Sequence, residues 1–188
     1  SKSSSLVNPR SFIHVMPGAE VTICERFVNI GNKTFSNFLS EKIVENSAKL
    51  ISYTIQEEGT GGFSVNTNQV KVGEHSTYDN TTITLSGQVV RNNHNVVIAG
   101  EYSQSHLNGL FLTQGIQLVD NHTLMDHQVP NCESNELYKG LINGKSTGVF
   151  NGKIFVRKDA QKTNAYQSSK NILLSDDGTI NTKPQLEI

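Results

Sequence analysis

An all-β fold built from short strands is what this chain predicts. Three observations carry that expectation: a composition rich in asparagine and glycine, apolar residues alternating at the strand period, and a loose internal repeat. Of the 188 residues, 20 are Asn and 15 are Gly, while Pro numbers 4 and Trp is absent. Asn and Gly tolerate left-handed backbone angles, so a chain rich in both suits frequent tight corners between short extended pieces. Gly73-Glu-His-Ser76, followed by Ile83 and Leu85, recurs as Gly100-Glu-Tyr-Ser103, followed by Leu110 and Leu112. Ala19 and Ala48 precede similar apolar pairs, and Ser134-Asn135 with Tyr138 matches Thr163-Asn164 with Tyr166 at a nearly equal shift. A period of about 27 to 29 residues fits the coils of a β-solenoid. Gly-rich turns in a sandwich or jelly roll produce equally degenerate repeats, so the residues alone leave both architectures open.

In chain order, residues 1–10 read as a flexible lead-in and residues 11–188 as one core, a single domain being the expectation at this length. Val21 and Ile23 open the alternating pattern. Phe35 to Ile43 comes nearest to helical spacing, yet it is read as a strand pair because no helical period persists beyond two turns. Alternation continues through Leu50, Ser52 and Thr54, then Val70 and Val72, then Ile83 and Leu85. Gly140-Leu-Ile-Asn-Gly144-Lys145-Ser146 looks at first like a phosphate-binding loop. Such a loop needs four residues between its first glycine and the Gly-Lys pair, with a helix after it. Here three intervene and the strand-like Val149-Phe150 follows, so an Asn-Gly corner between strands is predicted. After Ile172-Leu173-Leu174, Asp176-Asp177-Gly178 is a turn signal.

Charge excludes some function classes. The net charge is −1, with eight basic and eight acidic residues in 1–100 and eight and nine in 101–188. No basic face is implied and no nucleic-acid partner is expected. Apolar runs such as Val96-Val97-Ile98-Ala99 fall far short of the roughly 20 residues of a spanning helix, and no charged-then-apolar leader precedes them. A soluble protein without membrane partners is expected. Cys24 and Cys132 are far apart, without a CxxC pair, and reduced thiols in a cytoplasmic protein are the simplest reading. Asn32, Asn80 and Asn121 sit in Asn-x-Ser/Thr matches, which an asparagine-rich chain produces by chance.

The segment Asp120-Asn-His122-Thr-Leu-Met-Asp126-His127, with Cys132 beyond it, carries residue types that bind borderline metals. On an extended strand Asp120, His122 and Asp126 face one side and His127 the other, so convergence requires a bend, which Pro130 and Asn131 could supply. His122, His127 and Cys132 are therefore the candidate metal ligands, with hydrogen bonding at a corner as the competing reading. Cys132 has no adjacent cation to lower its pKa and reads as an inert buried or half-buried thiol; Cys24 reads as core or strand surface. Neither Asp120 nor Asp126 has an acidic partner one repeat later, so the carboxylate stack of a sugar-cleaving β-helix is not visible.

Three strings are more specific than any of these motifs: Val119 to His127 (VDNHTLMDH), Ser134 to Gly140 (SNELYKG), and the run from Val149 to Ile188 with QKTNAYQ, NILLSDD and TKPQLEI in it. Over about eighty residues they resemble the SufD members of the SufB/SufD scaffold family of iron–sulfur cluster assembly. The resemblance implies a right-handed parallel β-helix and a non-enzymatic scaffold in the cytoplasmic SUF system. It also implies SufB-like and SufC-like partners in a SufBCD complex, and a cluster held only transiently by the whole assembly, with no cofactor in this segment. The quoted strings would form the last coils. In the family a Cys-Ser-His-Gly segment and C-terminal helices follow them and a helical region precedes the β-helix; none of these occurs here. With Ser1 at the start and Leu186-Glu187-Ile188 at the end, the chain is expected to be a β-helix core truncated at both ends. Late-coil strands in the family meet partners, which nominates Val149, Phe150, Ile154, Phe155, Val156, Ile172, Leu173 and Leu174 as interface residues and admits a homodimer through them. A carbohydrate-active β-helix enzyme of the lyase or hydrolase type is the alternative, and an adhesin-type solenoid comes third.

Overall fold

Alternation in this chain places every second side chain on the same face of a strand, and the repeat lets each strand find its counterpart about one period away. The computed structural model describes residues 4–29 and 33–188, which form fourteen strands and no helix. They are β1 (Ser5–Val7), β2 (Arg10–Val15), β3 (Glu20–Val28), β4 (Thr34–Val44), β5 (Lys49–Glu57), β6 (Gly62–Val72) and β7 (Thr77–Ser86). The second half adds β8 (Val89–Ile98), β9 (Gln104–Thr113), β10 (Leu118–His127), β11 (Glu133–Ile142), β12 (Thr147–Val156), β13 (Asn164–Leu173) and β14 (Thr179–Glu187).

All strand pairings are parallel, and from β2 onward the chain alternates between two sheets. One sheet runs β4-β6-β8-β10-β12-β14 with β1 and β2 both beside β4, and the other runs β3-β5-β7-β9-β11-β13. This is a β-solenoid, and the sandwich reading is excluded because sandwich sheets are antiparallel. The coil length varies: the step from Phe63 to its partner Val89 is among the shortest, and that from Thr147 to Thr179 is the longest. Two of the three sequence matches are true coil equivalences: Glu20 pairs with Lys49 just after Ala19 and Ala48, and Thr77 pairs with Gln104 just after the two Gly-Glu-x-Ser strings. The third is corrected. Ser134 pairs with Ala165 and Asn135 with Tyr166, further along than the match with Thr163-Asn164 puts them, because the corner between β12 and β13 is longer than its predecessors.

The core is a lumen between the sheets, filled by columns of inward side chains. Val15, Val44, Val72, Ile98, His127 and Val156 form one column, all buried. Beside it run Lys42, Val70, Val96, Met125 and Ile154. Each fully buried aliphatic side chain contributes roughly 1.5–3 kcal/mol. Close packing also dictates where side chains are forbidden: a Cβ at Gly109 would lie 2.2 Å from the Tyr138 ring. The Asn143-Gly144 corner is as predicted, between β11 and β12, with Gly144 at φ 71° over Gly115.

Two sequence expectations change. The lead-in over 1–10 gives way to structure from Ser5, since Ser5–Val7 pairs with Thr34–Ser36 and Arg10 begins β2; residues 1–3 lie outside the described residues, as does Asn32. Phe35 to Ile43 is not a strand pair but the greater part of one strand, β4. Its inward residues are Phe38, Ser40, Lys42 and Val44, and the two polar side chains in that set obscure the alternation.

Candidate functional site

His122, His127 and Cys132 take three different places. His122 projects from the outer face of β10, where its Nε2 lies 2.9 Å from Asp120 Oδ1 while Asp120 also pairs with Arg91 of the previous coil. Burial lowers the His122 pKa, with Asp120 opposing and Arg91 assisting. This face carries a groove of about 450 Å³ lined by Thr67, Arg91, Asn93, His122, Asn151 and Lys153, among others. Asp126, on the same face, accepts two hydrogen bonds of 2.9 Å from Arg157, which hold its carboxyl below the usual range.

His127 points into the lumen, where Nε2 meets Ser134 Oγ at 2.8 Å and burial pushes the imidazole pKa down to about 4. It is neutral at ordinary pH. Cys132 is buried at the next corner, its thiol within 3.3 Å of the Pro130 carbonyl and 3.4 Å of the Gly100 carbonyl. Strand alternation thus separates His122 from His127, and the turn after His127 does not bring them back together. No group of three His, Cys, Asp or Glu suited to a metal exists among the described residues. Cys24 is exposed on β3, and Asn80 and Asn121 are buried within the lumen.

Of the nominated interface residues, Phe150, Ile154 and Val156 face the lumen and are corrected to core. β12 alternates between buried and half-buried residues, so Val149 and Phe155 alone of that strand's set reach the outer face. Ile172 and Leu173 are exposed at the end of β13 and Leu174 just beyond it, while exposed Tyr166 lies near the start of that strand. β13 and β14 each pair on one side only, which leaves strand edges of the kind that add to another sheet.

The residues that sequence reasoning missed lie inside. Lys42, fully buried, reaches Asn68 Oδ1 at 3.2 Å, Ser52 Oγ at 3.3 Å and Glu25 Oε2 at 3.5 Å. Burial lowers its pKa and Glu25 opposes that shift. Tyr78 OH meets His94 Nε2 at 2.9 Å, and burial drives His94 to about 3. Glu136 accepts from Thr123 at 3.1 Å and from Gln167, yet burial still raises its pKa to about 7. The signal for Lys42 was available: it stands an even number of residues from Phe38 and Val44, on the face that the strand buries.

A corner groove of about 490 Å³ is lined in part by Glu45, Glu74 and Glu101 from successive coils, a stack that a search starting from Asp120 and Asp126 does not find. His14 Nε2 lies 2.9 Å from Glu45, Asn131 donates to Glu101 at 3.1 Å, and His75 stands 3.7 Å from Glu74.

Comparison with known proteins supplies the context. The family model described as the SufBD core domain of SUF system FeS cluster assembly matches residues 1–188. An iron–sulfur cluster assembly SufBD family protein of Synechocystis is 29% identical over 97% of this chain and 42% of its own length. The iron–sulfur cluster assembly protein SufD of Escherichia coli is 29% identical over 95% of the chain and 43% of its own length. The chloroplastic protein ABCI7 of Arabidopsis thaliana is 30% identical over 100% of the chain and 40% of its own length. The chain therefore spans about two fifths of these relatives. Full-length agreement with the family model, on a solenoid whose coils follow the repeat in the sequence, shows that the chain belongs to the SufBD core domain family of the SUF iron–sulfur cluster assembly system.

Proposed function

We propose that this chain is the scaffold core of a SufD-type subunit, working with SufB-like and SufC-like proteins in a cytoplasmic SUF complex and performing no catalysis of its own. The observation that carries the reading is the match of the SufBD core model from residue 1 to residue 188. The placement of the side chains supports it: His127 and Cys132 serve packing and internal hydrogen bonds, and Asp126 holds Arg157 across neighbouring coils. A stiff column of coils with exposed apolar residues on β13 and edges on β13 and β14 suits a partner-bearing surface. Ile172, Leu173 and Leu174 are the residues proposed to meet a second subunit, either a SufB-like chain or another copy. Iron, sulfur and the nascent cluster are cargo of the whole complex in this reading.

The polysaccharide reading has less support, because the carboxylates of the corner groove already face His14, His75 and Asn131. The test is co-expression of the full-length protein carrying this segment with the SufB-like and SufC-like proteins of the same organism. Recovery of a stable complex containing both supports the scaffold role. Failure to recover either one overturns it. The same experiment with Leu173→Asp and Leu174→Asp asks whether the proposed surface contributes; an unchanged yield of the SufB-like partner removes that surface from the proposal.

A further inference from the structure

Inside the lumen, Asn66, Asn92 and Asn121 occupy one column, each paired in register with the next. Their amides form a directional ladder: Asn66 Nδ2 donates to Asn92 Oδ1 at 3.2 Å, and Asn92 Nδ2 donates to Asn121 Oδ1 at 2.9 Å. Gln56 locks the middle rung in this orientation, donating to Asn92 Oδ1 at 2.8 Å and accepting from Asn92 Nδ2 at 3.3 Å, while Thr84 donates to Gln56 Oε1 at 2.5 Å. A chain of donors and acceptors that all point one way has a free acceptor at one end and a free donor at the other, as a helix does. The two ends are visible: Asn66 Oδ1 and Asn121 Nδ2 are buried and have no hydrogen-bond partner among the described residues. Phe38 takes the position before Asn66 and Phe150 the one after Asn121, so neither end can be completed by another rung.

Beside Asn66 and the middle rung Asn92 lies a cavity of about 10 Å³, whose walls also include Glu25, Phe38, Thr54 and Asn68. That space accommodates roughly one water molecule, and a buried water is stable where two to four polar groups surround it. We infer that this cavity is a binding site for a single ordered water, which donates to Asn66 Oδ1 and so caps the amide ladder. Its remaining hydrogen bonds go to the Glu25 carboxylate and the Thr54 hydroxyl, both on the cavity wall. The same water joins the ladder to the Lys42 cluster, because Glu25 and Asn68 are also acceptors for the Lys42 ammonium. Left uncapped, the buried Asn66 acceptor would make the fold measurably less stable, since its lost hydration would go uncompensated.

A crystal structure of the 188-residue chain at a resolution that shows ordered solvent tests this directly, together with oxygen-17 relaxation dispersion in solution. The expected result is a solvent peak within hydrogen-bonding distance of Asn66 Oδ1, and a long-lived water signal that falls by one molecule in Thr54→Ile, whose larger side chain fills the space. A cavity without density, or an Asn66 rotated so that its nitrogen faces the cavity, overturns the proposal. An unchanged dispersion amplitude in a folded Thr54→Ile also overturns it. Should that variant fail to fold, the crystal structure of the unaltered chain decides alone.

Discussion

Two columns run through the same lumen and are stabilised in different ways. The column Val44-Val72-Ile98-His127-Val156 is nearly all aliphatic, while the column Asn66-Asn92-Asn121 is all amide. The aliphatic column is buried throughout, as are Asn66 and Asn121 at the ends of the ladder. In the aliphatic column each side chain contributes by area removed from water and by close packing, so a conservative change acts locally. In the amide ladder the middle rung, Asn92, satisfies its neighbours on the coils before and after it, so its substitution orphans polar groups on several coils at once. The comparison teaches that a solenoid buries polar residues as readily as apolar ones where the register stacks identical partners.

The sharpest way to break the comparison is Asn92→Leu, which strips partners from Gln56, Asn66 and Asn121 together. A loss of roughly 3–5 kcal/mol in urea unfolding is expected, since each orphaned buried group costs about 1–3 kcal/mol. A loss under about 1 kcal/mol would mean that the ladder is ornamental.

Two buried titrating groups oppose each other as pH changes. His127, at about 4 in the fold, stays neutral while the unfolded chain takes up a proton below pH 6.5, so stability falls as pH drops from 6.5 to 4. Glu136, at about 7, keeps its proton while the unfolded chain loses one above pH 4.5, so stability falls as pH rises from 4.5 to 7. Each effect amounts to roughly 3 kcal/mol at its full extent. His94, at about 3, adds to the His127 direction. Glu136→Gln is therefore expected to be more stable than the unaltered chain at pH 7 and to show a steeper gain of stability between pH 4.5 and 6.5. His127→Asn should show a shallower gain over that window. Parallel stability curves for the three proteins would show that neither group is perturbed by burial.

Within the aliphatic column, Ile98→Val removes one methylene from a buried side chain and should cost about 1 kcal/mol with the unfolding slope unchanged. The smallest effect belongs to the outer face. Arg157 is half exposed, so Arg157→Ala should cost less than any of the core substitutions and less again at high salt, despite two good hydrogen bonds to Asp126. A cost above that of Ile98→Val would place coil-to-coil ion pairs alongside packing.

How much of this was legible in the residues depends on the element. The Asn143-Gly144 corner and the alternating strands stand where the sequence puts them because each depends on residues close together in the chain, and two of the three repeat pairs do so because the coils between them keep the length of the repeat. The family strings announced the solenoid and its family, and the match over residues 1–188 agrees. Phe35 to Ile43 misled because Ser40 and Lys42 are inward and polar. The nomination of Phe150, Ile154 and Val156 for an interface failed for a related reason: an apolar strand between β10 and β14 buries one face in the lumen. The separation of His122 from His127 was readable from strand parity.

Composition and the alternation of apolar residues were enough to specify extended pieces joined by tight corners, and the coil-length repeat admitted a solenoid without excluding a sandwich. Only the tertiary structure decided which polar side chains would be enclosed. An asparagine or lysine buried in the lumen needs its donors and acceptors matched by residues about one coil away, and that match depends on the register between coils and not on any local pattern. Asn92 reads in the sequence as one more corner residue; it becomes the centre of an internal ladder because Gln56, Asn66 and Asn121 arrive beside it.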